Sequence, residues 1–229
     1  MDFSNKGYFM IPFGDSGVGF IFNDTIISIL AISAIMIGLA LLIRHKAKNF
    51  ENVPKNGFQN TVEMIIETLD NMIKTTVPAR FEYLGNWFFG LFFFILFSNL
   101  SGLIGLRAPT ADLTVTAGFG ITSFLLIQIF AFKAKKAKYF KGFLEPVPFF
   151  LPINLIGEFA TPISLSFRLF GNVLGGTIIM GLIYELFPWF LKIGIPSFLH
   201  IYFDLFAGAL QAYIFLVLSM TFLKNATEE

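Results

Sequence analysis

The stretch Pro162–Glu185, PISLSFRLFGNVLGGTIIMGLIYE, decides how the chain folds. From Phe159 to Tyr184 it is apolar and long enough to cross a membrane. Arg168 sits inside that run. Its guanidinium keeps its proton in any protein environment. Insertion scales charge about 2.5–3.5 kcal/mol for an arginine at mid-membrane. A permanent charge there calls for water, a carboxylate or both beside it.

The rest of the chain agrees with a membrane setting. Of 229 residues, 55% are hydrophobic and 14% charged, against roughly 25% charged in soluble domains. The apolar residues fall in long runs, which mark several membrane spans rather than one soluble core. The formal charge is +1, so the total implies no strongly basic or acidic partner and no nucleic acid. Cysteine is absent, which excludes disulfides, thiolate metal sites and a cysteine nucleophile. Residues 1–23 carry a single Lys6 and no compact apolar core with a cleavage site, so they do not read as a cleaved signal.

The hydropathy pattern predicts an all-α polytopic membrane protein with five spans, at about 25–43, 84–106, 113–132, 150–186 and 196–223. The whole chain, 1–229, reads as one integral membrane domain. Its parts are an N-terminal segment with the first span (1–50), a connection (51–82), the second and third spans (83–143) and a C-terminal hairpin (144–229). Lys and Arg cluster after the first span (Arg44, Lys46, Lys48, Lys55, Lys74, Arg80) and after the third (Lys133, Lys135, Lys136, Lys138, Lys141). Positive residues stay on the cytoplasmic side. That puts the N-terminus outside and the C-terminus inside.

Residues 56–76 carry Phe58, Val62, Ile65, Ile66, Leu69 and Ile73 at helical spacing, with polar residues filling the other face. This reads as an amphipathic helix at the cytoplasmic surface, or as one packed on the protein's own loops. The last two spans are too long for a bilayer. Ile153 to Leu186 would reach about 51 Å as a helix, against about 30 Å of hydrocarbon. They must tilt, bend or protrude, with a kink expected at Pro162 and a turn between Pro188 and Pro196.

Two polar stripes stand out. Ser164, Arg168 and Asn172 are spaced by four and share a helix face, with Gly171 and Gly175 beside it in an arrangement that lets another helix come close. His200, Asp204, Gly208 and Gln211 follow at four, four and three residues. Such a stripe fits the wall of an aqueous half-channel, or internal packing. Glu158 and Glu185 bracket Arg168 at opposite ends of the fourth span. The plain alternative for Arg168 is an ion pair within the chain, to Asp204 or Glu158. No metal-ligand spacing joins His45 and His200, no phosphate-binding glycine loop occurs, and no catalytic constellation or cofactor site is evident.

The segments PINLIGEFATP (152–162) and PISLSFRLFGN (162–172) resemble the signature of subunit a of F-type ATP synthases of the bacterial type. LQAYIFLVLSM (210–220) resembles that family's second marker, and FSNLSGLIGLRAPTADLTVT (97–116) its link between the second and third spans. The likeness runs from about residue 50 onward. It implies a non-catalytic stator subunit of the membrane motor in a bacterial plasma membrane. Its partners would be a ring of c subunits, the peripheral-stalk subunit b, the bilayer and the transported H⁺ or Na⁺. It implies that Arg168 matches the family's essential arginine and that Asn172 and Gln211 support it. Some members carry an acid nine residues after the arginine, where this chain has Thr177, and a histidine seven before the glutamine, where it has Asp204. The acid is then expected to have moved between helices lining one channel. The rival readings are a stand-alone transporter that binds an anionic substrate at Arg168, and a purely structural assembly subunit.

Overall fold

A computed structural model describes residues 7–12, 19–51, 53–54, 56–142, 144, 147–188, 191–192 and 194–228. Lys6 and Lys55 lie outside them. The membrane body is helical. Five helical stretches are long and apolar enough to cross a bilayer: Asp24–Ala47, Ala79–Ile104, Leu113–Lys135, Pro148–Leu186 and Ile195–Thr227. All five expected spans are present, each extended by a few residues at one or both ends.

Before the first helix lies an element the hydropathy reading did not contain. Strands β1 (Gly7–Pro12) and β2 (Gly19–Asn23) pair as an antiparallel hairpin. Runs of four or five apolar residues are too short for a helix period to show.

Helix α1 (Asp24–Ala47) starts where the Asn23 side chain accepts from the Ile26 N–H at 2.9 Å. Arg44, His45 and Lys46 lie in its last turn, where cations suit the helix dipole. It buries only Thr25, Ser28 and Ile32; Leu30, Ile37, Leu41 and Leu42 face outward. Helix α2 (Gly57–Thr76) resolves the two readings of the amphipathic segment into two halves. Leu69 and Ile73 are buried in the protein's own core, while Phe58, Ile65 and Ile66, on the same stripe nearer its start, are exposed.

A 3₁₀ turn (Ala79–Leu84) leads into α3 (Gly85–Leu100), and a second (Ser101–Ile104) ends it at Gly105, whose φ of 75° suits a residue without a Cβ. Asp112 caps α4 (Leu113–Lys135) by accepting from the Thr114 N–H at 3.0 Å, and Thr25 Oγ1 donates to the same carboxylate. That bond ties the start of α1 to the start of α4. The short helix α5 (Ala137–Gly142) precedes α6 (Leu151–Leu186), 36 residues long, or about 54 Å. The helix runs on through Pro162 without breaking. It stops at Phe187, whose extended backbone is what a following proline imposes. Pro196 stands in the first turn of α7 (Ile195–His200). The chain then passes through a π-helical turn (Ile201–Ala207) into α8 (Gly208–Thr227).

Helix α8 is the hub. One cluster joins its Leu216, Met220 and Leu223 to Ile73, Phe81, Phe88 and Ile127; a second joins its Ala212 and Phe215 to Ile95, Leu165 and Leu169. Lipid is as apolar as these side chains, so close packing rather than water exclusion holds the helices together. The C-terminus of α8 is tied down by Arg80, whose guanidinium donates to the Thr227 carbonyl.

Helices α4 and α6 meet at Gly120. A Cβ there would lie 2.2 Å from Ser166 Oγ and 2.7 Å from the Pro162 carbonyl oxygen. The hydroxyl has room to turn away, but a backbone carbonyl does not. Gly120→Ala is therefore expected to push the helices apart at an overpacking cost of about 1–3 kcal/mol. The check is the thermal unfolding midpoint in detergent, which should fall. An unchanged midpoint would mean that α6 gives way at this point without cost.

Candidate functional site

Helix α6 has two faces. Pro162, Leu165, Ser166 and Leu169 are buried against α4 and α8. Ile163, Ser164, Phe167, Arg168, Gly171 and Asn172 face outward. Arg168 lies 17 residues from the start of the helix, near its middle. Among the described residues it forms no ion pair and no hydrogen bond. The acids that stood as its partners within the chain are engaged elsewhere: Asp204 by His200, at 2.6 Å, and Glu158 by Gln128, at 2.8 Å. Nothing lies within 4 Å of a Cβ built on Gly171 or Gly175. The charge thus stands on an apolar, flattened face that no other part of the chain covers among the described residues.

Toward the C-terminal end of α6 the polar groups form a series. Asn172 Nδ2 donates to Gln211 Oε1 at 2.6 Å, which binds α6 to α8 one turn from Arg168. Gln211 is buried, and its Nε2 has no partner. One π-turn earlier, His200 Nδ1 pairs with Asp204 Oδ2, and His200 Nε2 meets Tyr184 Oη at 3.3 Å. A third helix takes part. Asn99 of α3 donates to the Gly208 carbonyl at 2.9 Å and accepts from Thr110 Oγ1 at 2.7 Å, both bonds buried. Gly102 lies against the acid, since a Cβ there would sit 3.4 Å from the Asp204 carboxylate, in ordinary contact. Asn99, Asn172, Asp204 and Gln211 together line a cavity of about 20 Å³.

Toward the N-terminal end of α6 the site is wide. A recess of about 770 Å³ opens between α4, α5, α6 and the end of α8, with Glu158, Gln128, Asn154, Thr161, Lys135 and Tyr139 among its walls. Tyr139 Oη donates to Gln128 Oε1, and Gln128 Nε2 donates to Glu158 Oε2. Burial, and after it the negative charge of Glu158, raises the pKa of Tyr139 above that of an ordinary phenol, so it remains a donor at neutral pH. Glu158, Thr161, Ser164 and Arg168 recur at three, three and four residues along α6, which leads from this recess toward the arginine.

The structure therefore brings His200, Asp204, Gln211 and Asn172 together on one side of Arg168 and sets Glu158 on the other. Ser164 shares the exposed face of Arg168. Thr177 does not join them. It is exposed, and its hydroxyl donates to the Val173 carbonyl of its own helix at 2.9 Å. Glu185 is exposed at the end of α6, beyond Tyr184. Sequence reasoning missed Asn99, Thr110, Thr161, Tyr184, Gln128 and Tyr139. A polar residue inside an apolar run was the signal available at Asn99, Gln128 and Thr161; Thr110, Tyr139 and Tyr184 stand near or beyond span ends, where polar residues are ordinary.

Comparison with known proteins identifies the family. The model for "ATP synthase A chain" matches residues 25–224. The chain is 34% identical to the "ATP synthase subunit a, sodium ion specific" of Propionigenium modestum over 220 residues, covering 87% of this chain and 73% of that one. It is 35% identical to "ATP synthase subunit a 2" of Syntrophotalea carbinolica, covering 86% and 83%. With "ATP synthase subunit a" of Staphylococcus saprophyticus the identity is 30%, over 93% and 94%. With its signature around Arg168, its multi-pass helical body and these relatives, the chain belongs to the ATP synthase A chain family.

Proposed function

We propose that this chain is the stator subunit of a rotary ion motor, and that Arg168 meets the carboxylates of a passing c-ring. One observation carries the reading. A permanently charged, unpaired guanidinium lies on an exposed intramembrane face, between a polar recess at one end of its helix and a polar cavity at the other. The membrane domain, taken whole, carries no catalytic machinery of its own in this reading. It passes H⁺ or Na⁺ while the attached complex makes ATP. The exposed face of α1 is left to lipid and to the membrane helix of subunit b.

The mechanism follows from the cost of buried charge. A ring carboxylate turned toward lipid must bind a cation, because an isolated ionised acid there is too expensive. Beside Arg168 it remains ionised, because the opposite charge weakens its hold on a proton or cation. The arriving site gives up its ion to one leg and the departing site takes an ion from the other. Arg168 repels any cation that would cross directly between them. The Asn172–Gln211 pair braces the helix turn next to it. With the N-terminus outside and the C-terminus in the cytoplasm, the His200–Asp204–Gln211 series forms the outer leg, and the recess at Glu158 and Thr161 the cytoplasmic one. Each elementary charge carried across 100 mV supplies about 2.3 kcal/mol.

Replacing Arg168 should stop coupling without preventing assembly. Losing a buried charge pairing costs about 3 kcal/mol or more, so Arg168→Ala should slow ATP synthesis by membrane vesicles roughly 100-fold or beyond. Arg168→Lys should rescue it poorly, since lysine lacks the planar fork and can deprotonate when buried. Normal coupled synthesis in Arg168→Ala vesicles would overturn the reading. For Asp204→Asn, a higher external ion concentration should be needed for half-maximal synthesis. An unchanged dependence would make Asp204 a packing residue. The purified chain alone in liposomes should take up no anionic solute; uptake would favour a stand-alone transporter.

A further inference from the structure

The cavity between α3, α6 and α8 has a measurable imbalance of donors and acceptors. Both polar atoms of the Asn99 side chain have a partner, the Gly208 carbonyl for the nitrogen and Thr110 for the oxygen. The Asn172 amide nitrogen is used by Gln211 Oε1, and Asp204 Oδ2 by His200. Among the cavity's side chains, the buried nitrogen with no partner at all is Gln211 Nε2, on a residue 2% exposed. The Asp204 carboxylate and the Asn172 amide, both able to accept, line the same space. An orphaned amide donor costs about 1–3 kcal/mol. The volume, about 20 Å³, exceeds the roughly 10–15 Å³ that one water needs.

We infer that this cavity holds one ordered water, accepting from Gln211 Nε2 and donating to Asp204. It joins the His200–Asp204 pair to the Asn172–Gln211 pair in one hydrogen-bonded line that ends a turn from Arg168. Water is the ligand the groups select, because it both accepts and donates. A bare cation would need oxygens on every side and meets an N–H on one. Helices α3 and α8 come close at the rim of this space, where a Cβ on Gly208 would lie 3.0 Å from Asn99 Cβ. Asp204 stands in the wider π-helical turn, a geometry that gathers at functional sites. Asn99 is then a positioning residue. It pins the Gly208 carbonyl at the rim and touches no ion. The inference rests on the outer leg proposed above.

Two measurements test it. In a cryo-EM reconstruction of the intact ATP synthase, a density peak should lie about 2.7–3.2 Å from both Gln211 Nε2 and an Asp204 oxygen. The peak should be the same in sodium-free and sodium-replete buffer. An empty cavity, or a peak present only with sodium and at the roughly 2.3–2.6 Å contacts of an oxygen-bound cation, overturns the inference. The second test replaces Ala207, which lines the cavity, by Val and by Thr. The two side chains are nearly equal in volume, and Thr carries a hydroxyl where Val has a methyl. Both displace the water, and only Thr restores a hydrogen-bonded bridge. Per assembled complex, A207V should lose about tenfold or more in ATP synthesis, equivalent to about 1.4 kcal/mol, with A207T within about threefold of the parent. Equal rates in A207V and A207T overturn the bridge. Failure of the Arg168 prediction is separate, since it would remove the motor reading while the density in the unmodified complex still decided the water.

Discussion

A guanidinium without an acid of its own governs this molecule. Other charges in the membrane body have a place to go: Arg44, Lys46, Lys133 and Lys135 lie in the last turns of their helices, Asp204 holds His200, and Glu158 holds Gln128. Arg168 stands in mid-helix with no ion pair and no hydrogen bond among the described residues. A charge in that position is unstable in lipid. It is tolerable only if a partner supplies both the counter-charge and the close surface. The glycines at 171 and 175, with nothing within 4 Å of a Cβ built on either, leave that surface flat enough to approach. In the motor proposed above, the isolated subunit is in this sense half of an ion pair.

Close helix packing serves that end. Leu165 and Leu169, on the buried side of α6, are held by Ala212 and Phe215 of α8. The Gly120 contact brings α4 against the carbonyl of Pro162, six residues before the arginine. The Asn172–Gln211 bond fixes the turn after it. The charged side chain is thereby carried on a helix clamped above and below, so its position relative to a moving partner is set by the stator and not by its own flexibility. Asn99 and Arg80 do comparable work on α8, the first at the Gly208 carbonyl and the second at Thr227.

Much of this was legible in the residues alone. The five apolar runs gave the spans, because their lengths far exceed what soluble helices need, and α2 emerged at Gly57–Thr76 from its period. That Asn172 and Arg168 share one face and that Gln211, Asp204 and His200 share another was read from spacing, since helical faces repeat at three and four residues. Asn99 and Gln128 were not, because their roles depend on which helix lies alongside, and no single-helix pattern records a neighbour. Thr177, singled out through a resemblance at its position, is exposed with its hydroxyl bonded back to Val173, apart from the Asp204 and Gln211 group. The π-turn at Ile201–Ala207 was also invisible, since the stripe His200, Asp204, Gly208, Gln211 reads equally well along an α-helix.

The two recesses flanking the arginine differ greatly in size, about 770 Å³ against about 20 Å³. Filled with water, the larger holds roughly two dozen molecules at about 30 Å³ each and behaves as an inlet of its own compartment at nearly that compartment's voltage. In a series of resistances the drop concentrates where the conductor is narrowest. In the motor proposed above, the transmembrane field is then focused on the short stretch between Arg168 and the Asp204 side, and an ion traversing those few ångströms collects most of the work that the membrane potential can deliver.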